Sequence, residues 1–326
     1  MTLGGPAGDP IEIRFPTLNP RVLTHMRDPK TLSRPLEGRG LLYLPAGTGA
    51  PHPAVVVMEG LGGLKKSREL WHGRFLAENG FVALVVDSFG ARGAANLAHN
   101  LRALVVTESM MLADAFAALH YLDTHPLVRR EGIGIFGFSY GGMISVLTAY
   151  RQIHDLFFDQ NGPAFAGHVA YYGCSVPRLE DPATTGAPLL MQIGERDRNV
   201  SVRRTRDIVQ DLQRGGSTVE LVVHKKTYHQ WDGADEGKRF VRFALPDTRF
   251  RVGRDYGLRD ERTGILITGR LTRMAAILAS IDPGGYHILR DEAVMARANA
   301  RTLAFLENLG ARTQPRLIPS VDRRPS

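Results

Sequence analysis

The stretch GIGIFGFSYGGMISVLTAY, residues 132–150, decides how this chain is read. It opens as a short apolar run and continues as a helix-like one, with a single serine, Ser139, between glycines at the junction. Gly137, Ser139 and Gly141 make a G-x-S-x-G pattern at a strand-to-helix transition, and Gly142 extends the small-residue run. A nucleophile on so sharp a turn has strained dihedrals, and side chains beside it would collide. Glycines on either side remove those side chains. The competing reading is that the glycines only let a helix pack close to a strand. The rest of the sequence has to choose.

Working outward, five further runs resemble the apolar part of this stretch: PAVVVM (53–58), FVALVV (81–86), HVAYY (168–172), PLLMQI (188–193) and VELVV (219–223). Their apolarity is nearly continuous rather than alternating, as in strands buried on both faces of a parallel sheet. IEIRF (11–15) and GLLYL (40–44) read as antiparallel edge strands. Between these runs lie helical patterns. Met111, Ala115, Leu119 and Leu122 share a face in 108–125, and Thr205, Ile208 and Leu212 share one in 201–216, which closes on Gly215. Val294, Ala298, Thr302, Phe305 and Leu309 do so in 291–310, which closes on Gly310. Alternating strands and helices predict an α/β fold, a mostly parallel, doubly wound sheet of about eight strands flanked by helices. Residues 238–290 break the alternation and read as an insertion or cap in a single domain spanning 1–310. The proline-containing segment 311–326 reads as a mobile tail.

Bulk properties exclude several classes. Of 326 residues, 43% are hydrophobic and 23% charged, which is the balance of a globular protein with a sizeable core. No apolar run approaches the length of a membrane span, and the N-terminus lacks the charged-then-apolar pattern of a secretory leader. The one cysteine, Cys174, forbids an intrachain disulfide and reads as a small buried hydrophobe. These features together give the expectation of a cytoplasmic protein. The formal charge of +8 would suit nucleic acid, but the arginines are scattered and no nucleic-acid-binding signature appears. No histidine spacing suits a metal, so neither metal nor cofactor is expected.

A serine nucleophile needs a base and an acid to orient it. On this fold they follow the serine in the order acid, then histidine, each on a loop after a later strand. Asp197 follows the run 188–193 and His229 follows 219–223, in that order. Glu195 is the alternative acid. His224 ends its strand and reads as structural, and His120, His125 and His168 sit in or beside core elements. The second oxyanion donor is expected from the loop after an early strand. Gly60, Leu61, Gly62 and Gly63 follow the run 53–58, and the alternative is an ordinary tight turn there. Gly60 is also followed by Lys66 and Ser67, but Lys65 occupies the second glycine of a phosphate loop, and the nucleotide reading falls.

Four segments, VVVMEGLGGL (55–64), VVDSFGARG (85–93), GIFGFSYGG (134–142), and GERDRNV with YHQWD (194–200, 228–232), resemble the dienelactone hydrolase family of the α/β-hydrolase superfamily, in the family's order. The resemblance covers about residues 35–235 and implies hydrolysis of a small-molecule ester or lactone. It places the nucleophile at Ser139, the acid at Asp197, the base at His229 and the oxyanion donors at Tyr140, Leu61 and Gly60. Many family members carry cysteine where this chain has Ser139, which favours a general serine esterase. An amide or peptide hydrolase of the same fold, and a binding protein without catalysis, are the other readings. Glu59 stands where many relatives have histidine, and dienelactone hydrolases proper have glutamate. Two readings follow from it: Glu59 modulates the site beside Ser139, or it bonds loop amides. Asp87 is expected to be structural, paired with Arg92.

Overall fold

The computed structural model describes residues 8–28, 31, 35–47, 51–159, 162–173, 176–245 and 249–309. Cys174, Gly310 and the segment 311–326 lie outside the described residues. Eight strands form the main sheet: β1 (Ile11–Thr17), β2 (Leu36–Tyr43), β3 (His52–Met58), β4 (Val82–Val86), β5 (Val128–Phe138), β6 (Gly167–Tyr171), β7 (Leu189–Gly194) and β8 (Val219–His224). Their spatial order is β1-β2-β4-β3-β5-β6-β7-β8. β1 pairs antiparallel with β2, and β2 antiparallel with β4. Every other pairing is parallel. The run expected as an edge strand at 40–44 is therefore one strand in from the edge, because β1 covers its outer side.

The apolar runs have a simple cause. Ala54, Val56 and Met58 of β3 face one core cluster, and Val55 and Val57 face the other. The same alternation places Val82, Leu84 and Val86 of β4 on one side and Ala83 and Val85 on the other. Each fully buried aliphatic side chain contributes roughly 1.5–3 kcal/mol relative to exposure. One layer holds α2 (Glu108–Asp123), α3 (Tyr140–Leu147) and α4 (Val202–Arg214). The opposite layer holds α1 (Glu69–Glu78) and α6 (Glu292–Leu309). The helical faces expected in α2 and α4 are buried; in α6, Phe305 is half-buried and Leu306 takes the inner position. No helix among the described residues is long and apolar enough to cross a membrane.

The strand order reverses around β3, whose neighbours are β4 and β5. Ligand sites of open α/β sheets gather beyond the carboxyl ends of strands at such a reversal. Glu59–Leu61 leave β3 there, and Ser139 leaves β5 beside them.

Among the described residues of 238–290 there are small strands and one helix, α5 (Arg270–Leu278). Arg239–Val241 pairs antiparallel with Tyr286–Ile288. A second small sheet joins Phe250–Val252, Leu258–Asp260 and Leu266–Ile267 to Arg178–Leu179, which follow β6. The segment is thus stitched into the body of the protein by backbone pairing.

Candidate active site

Ser139 has φ 51° and ψ −109°, a conformation that a non-glycine residue rarely adopts. Its amide donates to the Tyr171 carbonyl at 2.9 Å, and its carbonyl accepts from Met143 at 3.0 Å, which fixes the turn between β5 and α3. The flanking glycines are required by space. A Cβ on Gly137 would lie 2.0 Å from the Gly141 carbonyl oxygen, and one on Gly141 would lie 2.3 Å from that of Met58. Real Cβ atoms do not approach backbone oxygens so closely, and here no flexible side chain can yield.

Three distant side chains meet at this turn. The Ser139 hydroxyl lies 3.2 Å from Nε2 of His229, and Nδ1 of His229 lies 2.6 Å from Oδ2 of Asp197. His229 is wholly buried, and Asp197 and Ser139 nearly so. The Asn199 amide donates to the other Asp197 oxygen at 2.8 Å. With a carboxylate at Nδ1, that nitrogen carries the proton and Nε2 presents its lone pair to the serine hydroxyl. The alternative acid, Glu195, accepts from the Lys226 amide at 2.8 Å and braces the loop after β8.

The loop after β3 is fixed by a buried ion pair. Glu69 accepts from Arg68 at 2.6 Å and from the amides of Lys65 and Gly60 at 3.0 and 3.1 Å. Gly60 was expected as an oxyanion donor; its amide is instead committed to Glu69. Leu61, expected alongside it, remains the candidate in this loop. The Gly60 carbonyl accepts from Gly63 at 2.9 Å, so the trans peptide 60–61 directs its N–H, that of Leu61, the opposite way. Gly63 closes this turn with φ 74°, in the left-handed region that glycine allows.

Glu59 is wholly buried, and Oε1 accepts from the Phe89 amide at 2.9 Å. That contact is the loop-amide alternative. Burial, with Asp87 nearby, holds its carboxyl well above the usual range. A group whose folded pKa is raised stabilises the fold fully below its unfolded pKa, and loses that contribution as pH rises through the folded value. Glu59→Gln keeps the acceptor and removes the titration. Its stability relative to the parent, followed through the melting temperature, therefore rises between pH 5 and pH 8, with a slope of up to about 1.4 kcal/mol per pH unit. Parallel melting curves at both pH values would refute this account.

Asp87 is structural, but not as a partner of Arg92. Its carboxylate caps the short helix Ser88–Ala91 by accepting from Gly90 at 2.8 Å. Arg92 instead forks onto buried Asp114 at 2.6 and 3.1 Å. His168 meets Ser145 and Thr148 through Nδ1 while its buried Nε2 has no hydrogen-bond partner among the described residues, and His224 meets Gln192 through Nε2. Burial pushes them down to about 3 and about 4.

Several contacts at the site carry no local sequence signal. The Tyr172 ring centroid stands 4.7 Å from that of His229, and its hydroxyl donates to Asp232. Burial and the Asp232 carboxylate hold this phenol well above its ordinary pKa. Tyr140, next to the nucleophile, sends its hydroxyl toward Glu108 and Arg273.

A model of the dienelactone hydrolase family matches residues 39–239, and the chain belongs to that family. The sheet order, the strained serine turn and the eight strands flanked by helices are those of an α/β-hydrolase-like fold. A Bradyrhizobium protein named "Probable 2-oxo-3-(5-oxofuran-2-ylidene)propanoate lactonase" is 26% identical over 194 residues, 54% of this chain and 72% of the relative. A Bacillus subtilis protein named "Uncharacterized peptidase YtmA" is 26% identical over 249 residues, 65% of this chain and 88% of the relative. The crystal structure of a dienelactone hydrolase-like promiscuous phosphotriesterase from metagenomic libraries aligns with a TM-score of 0.56 at 17% identity, over 93% of this chain and 99% of that one. The chain is a dienelactone hydrolase-like hydrolase.

Proposed function

We propose that the protein cleaves carboxylic esters or lactones through Ser139, His229 and Asp197 by way of an acyl-enzyme. The observation that carries this reading is the continuous contact from Asp197 through His229 to Ser139, at 2.6 and 3.2 Å, on a strained turn. His229 Nε2 takes the hydroxyl proton as Ser139 Oγ bonds to the carbonyl carbon. Asp197 holds the tautomer and stabilises the imidazolium. The amides of Tyr140 and Leu61 receive the oxyanion. The intermediate then expels the alkoxide, which takes the proton from Nε2; for a lactone the alcohol stays tethered to the acyl group. Water, deprotonated by the same nitrogen, attacks the acyl-enzyme and releases the carboxylic acid and free Ser139.

The relative named as a lactonase favours this substrate class, and the one named as a peptidase supports an amide reading second. A panel of p-nitrophenyl esters, lactones and aminoacyl anilides separates the two. The expected result is turnover of esters or lactones at least about 100-fold above that of anilides, abolished in Ser139→Ala. Preference for anilides would transfer the assignment to peptides.

A further inference from the structure

Residues 240–290 lie beyond the stretch matched by the family, yet they reach the site at two points. The first is α5. An ordinary surface helix turns apolar residues inward and charges outward. Here Leu271, Met274 and Leu278 are 76%, 39% and 61% exposed, while Arg273 on the same helix is buried. This helix therefore docks through Arg273 and the small Ala276 rather than through its large apolar side chains. Arg273 donates to the Ala103 carbonyl at 2.9 Å, to Glu108 at 2.9 Å and to the Tyr140 hydroxyl at 3.0 Å. Three guanidinium nitrogens meet three partners, one of them the residue that follows Ser139. A buried ion pair is poor glue compared with apolar packing, since both ions must be desolvated. What it supplies is a single allowed geometry.

The second point is the strand Tyr286–Ile288. The amide of His229 donates to the His287 carbonyl at 3.3 Å, and the Leu289 amide donates to the His229 carbonyl at 3.4 Å. The buried Tyr286 ring meets the His229 ring edge-on, with centroids 5.1 Å apart. Tyr172 closes the other contact at 4.7 Å, from a backbone with φ 38°. The imidazole is thus packed against two tyrosines, one just past the end of β6 and one from the later segment.

We propose that α5 and the strand Tyr286–Ile288 are positioning elements of the hydrolytic site: Arg273 holds the nucleophile turn through Tyr140, and Tyr286 holds the His229 ring. This rests on the reading of Ser139 and His229 as nucleophile and base. The two elements do not touch the reacting atoms through these residues; they fix the two groups that do. Sub-ångström misplacement of either lengthens the Oγ–Nε2 contact and slows proton transfer while substrate binding changes little.

The test uses the full chain with three variants. Glu108→Gln with Arg273→Met replaces both ends of the ion pair, so no lone charge is left buried. Tyr286→Leu removes the ring, and Tyr286→Phe restores it. Each is assayed for melting temperature, kcat and KM on p-nitrophenyl acetate, and rate of labelling by a fluorophosphonate followed by intact mass. The expected result is a kcat and a labelling rate reduced about 10- to 100-fold in the double variant and in Tyr286→Leu, with KM within about 3-fold. Tyr286→Phe recovers most of the loss. Folded variants with the parent's kcat and labelling rate would overturn the positioning role. If the parent chain is not labelled, or Ser139→Ala is still labelled, the nucleophile assignment itself fails, and that outcome is read independently of the variants.

Discussion

Ser139→Ala lowers kcat/KM for a p-nitrophenyl ester by roughly 10⁴- to 10⁶-fold while the chain stays folded. The size follows from what the substitution removes. Without Oγ there is no acyl-enzyme, and water must attack the carbonyl directly. The amides of Tyr140 and Leu61, together with binding, still hold a developing oxyanion, so some acceleration over solution remains. The fold survives for a local reason. Serine and alanine share the cost of φ 51° at position 139, and the turn is held by backbone bonds to Tyr171 and Met143 rather than by the hydroxyl. Rate is measured against melting temperature, and by loss of fluorophosphonate labelling. A loss below about 100-fold in a fully folded variant would show that another group attacks the ester.

Much of this site was legible because its constraints are local. The glycines around Ser139 are dictated by contacts of 2.0 and 2.3 Å with backbone, which leave the residue type no freedom. The central strands declare themselves because both their faces are buried, which makes the apolar runs continuous. Asp197 and His229 are found because chain order and strand ends restrict the candidates. What was not legible depends on partners far along the chain. Arg92 pairs with Asp114 rather than Asp87, since a residue five positions away loses to one that the fold brings closer. Gly60 reads as a flexible donor until Glu69 is seen taking its amide. The strands at 239–241, 258–260 and 286–288 are three residues each, too short for any periodicity, and exist by pairing. Nothing in the sequence around Arg273 says that it turns inward, because the apolar side chains beside it would ordinarily claim that face.

Asp197→Asn is expected to reduce kcat roughly 10³- to 10⁴-fold, whereas Glu195→Gln stays within about 3-fold of the parent. The two acidic side chains are two residues apart, and only their hydrogen bonds tell them apart. Asp197 places one oxygen 2.6 Å from Nδ1 of His229 and gives the other to the Asn199 amide. Asparagine at 197 has one acceptor, and the Asn199 N–H claims it. The amide nitrogen then faces Nδ1, which must accept. The imidazole is driven to the tautomer with its proton on Nε2, where it opposes the serine hydroxyl and takes no proton from it. The negative charge that stabilises the imidazolium is lost as well. Because the change at Asp197 acts on the tautomer and charge of His229, kcat should fall while KM holds. Glutamine at 195 keeps the carbonyl that accepts from Lys226, and that position is exposed, so little changes. The paired measurement is decisive between the two carboxylates: a collapse of kcat in Glu195→Gln with Asp197→Asn near the parent would mean that the loop after β7 rearranges to present the other acid to His229.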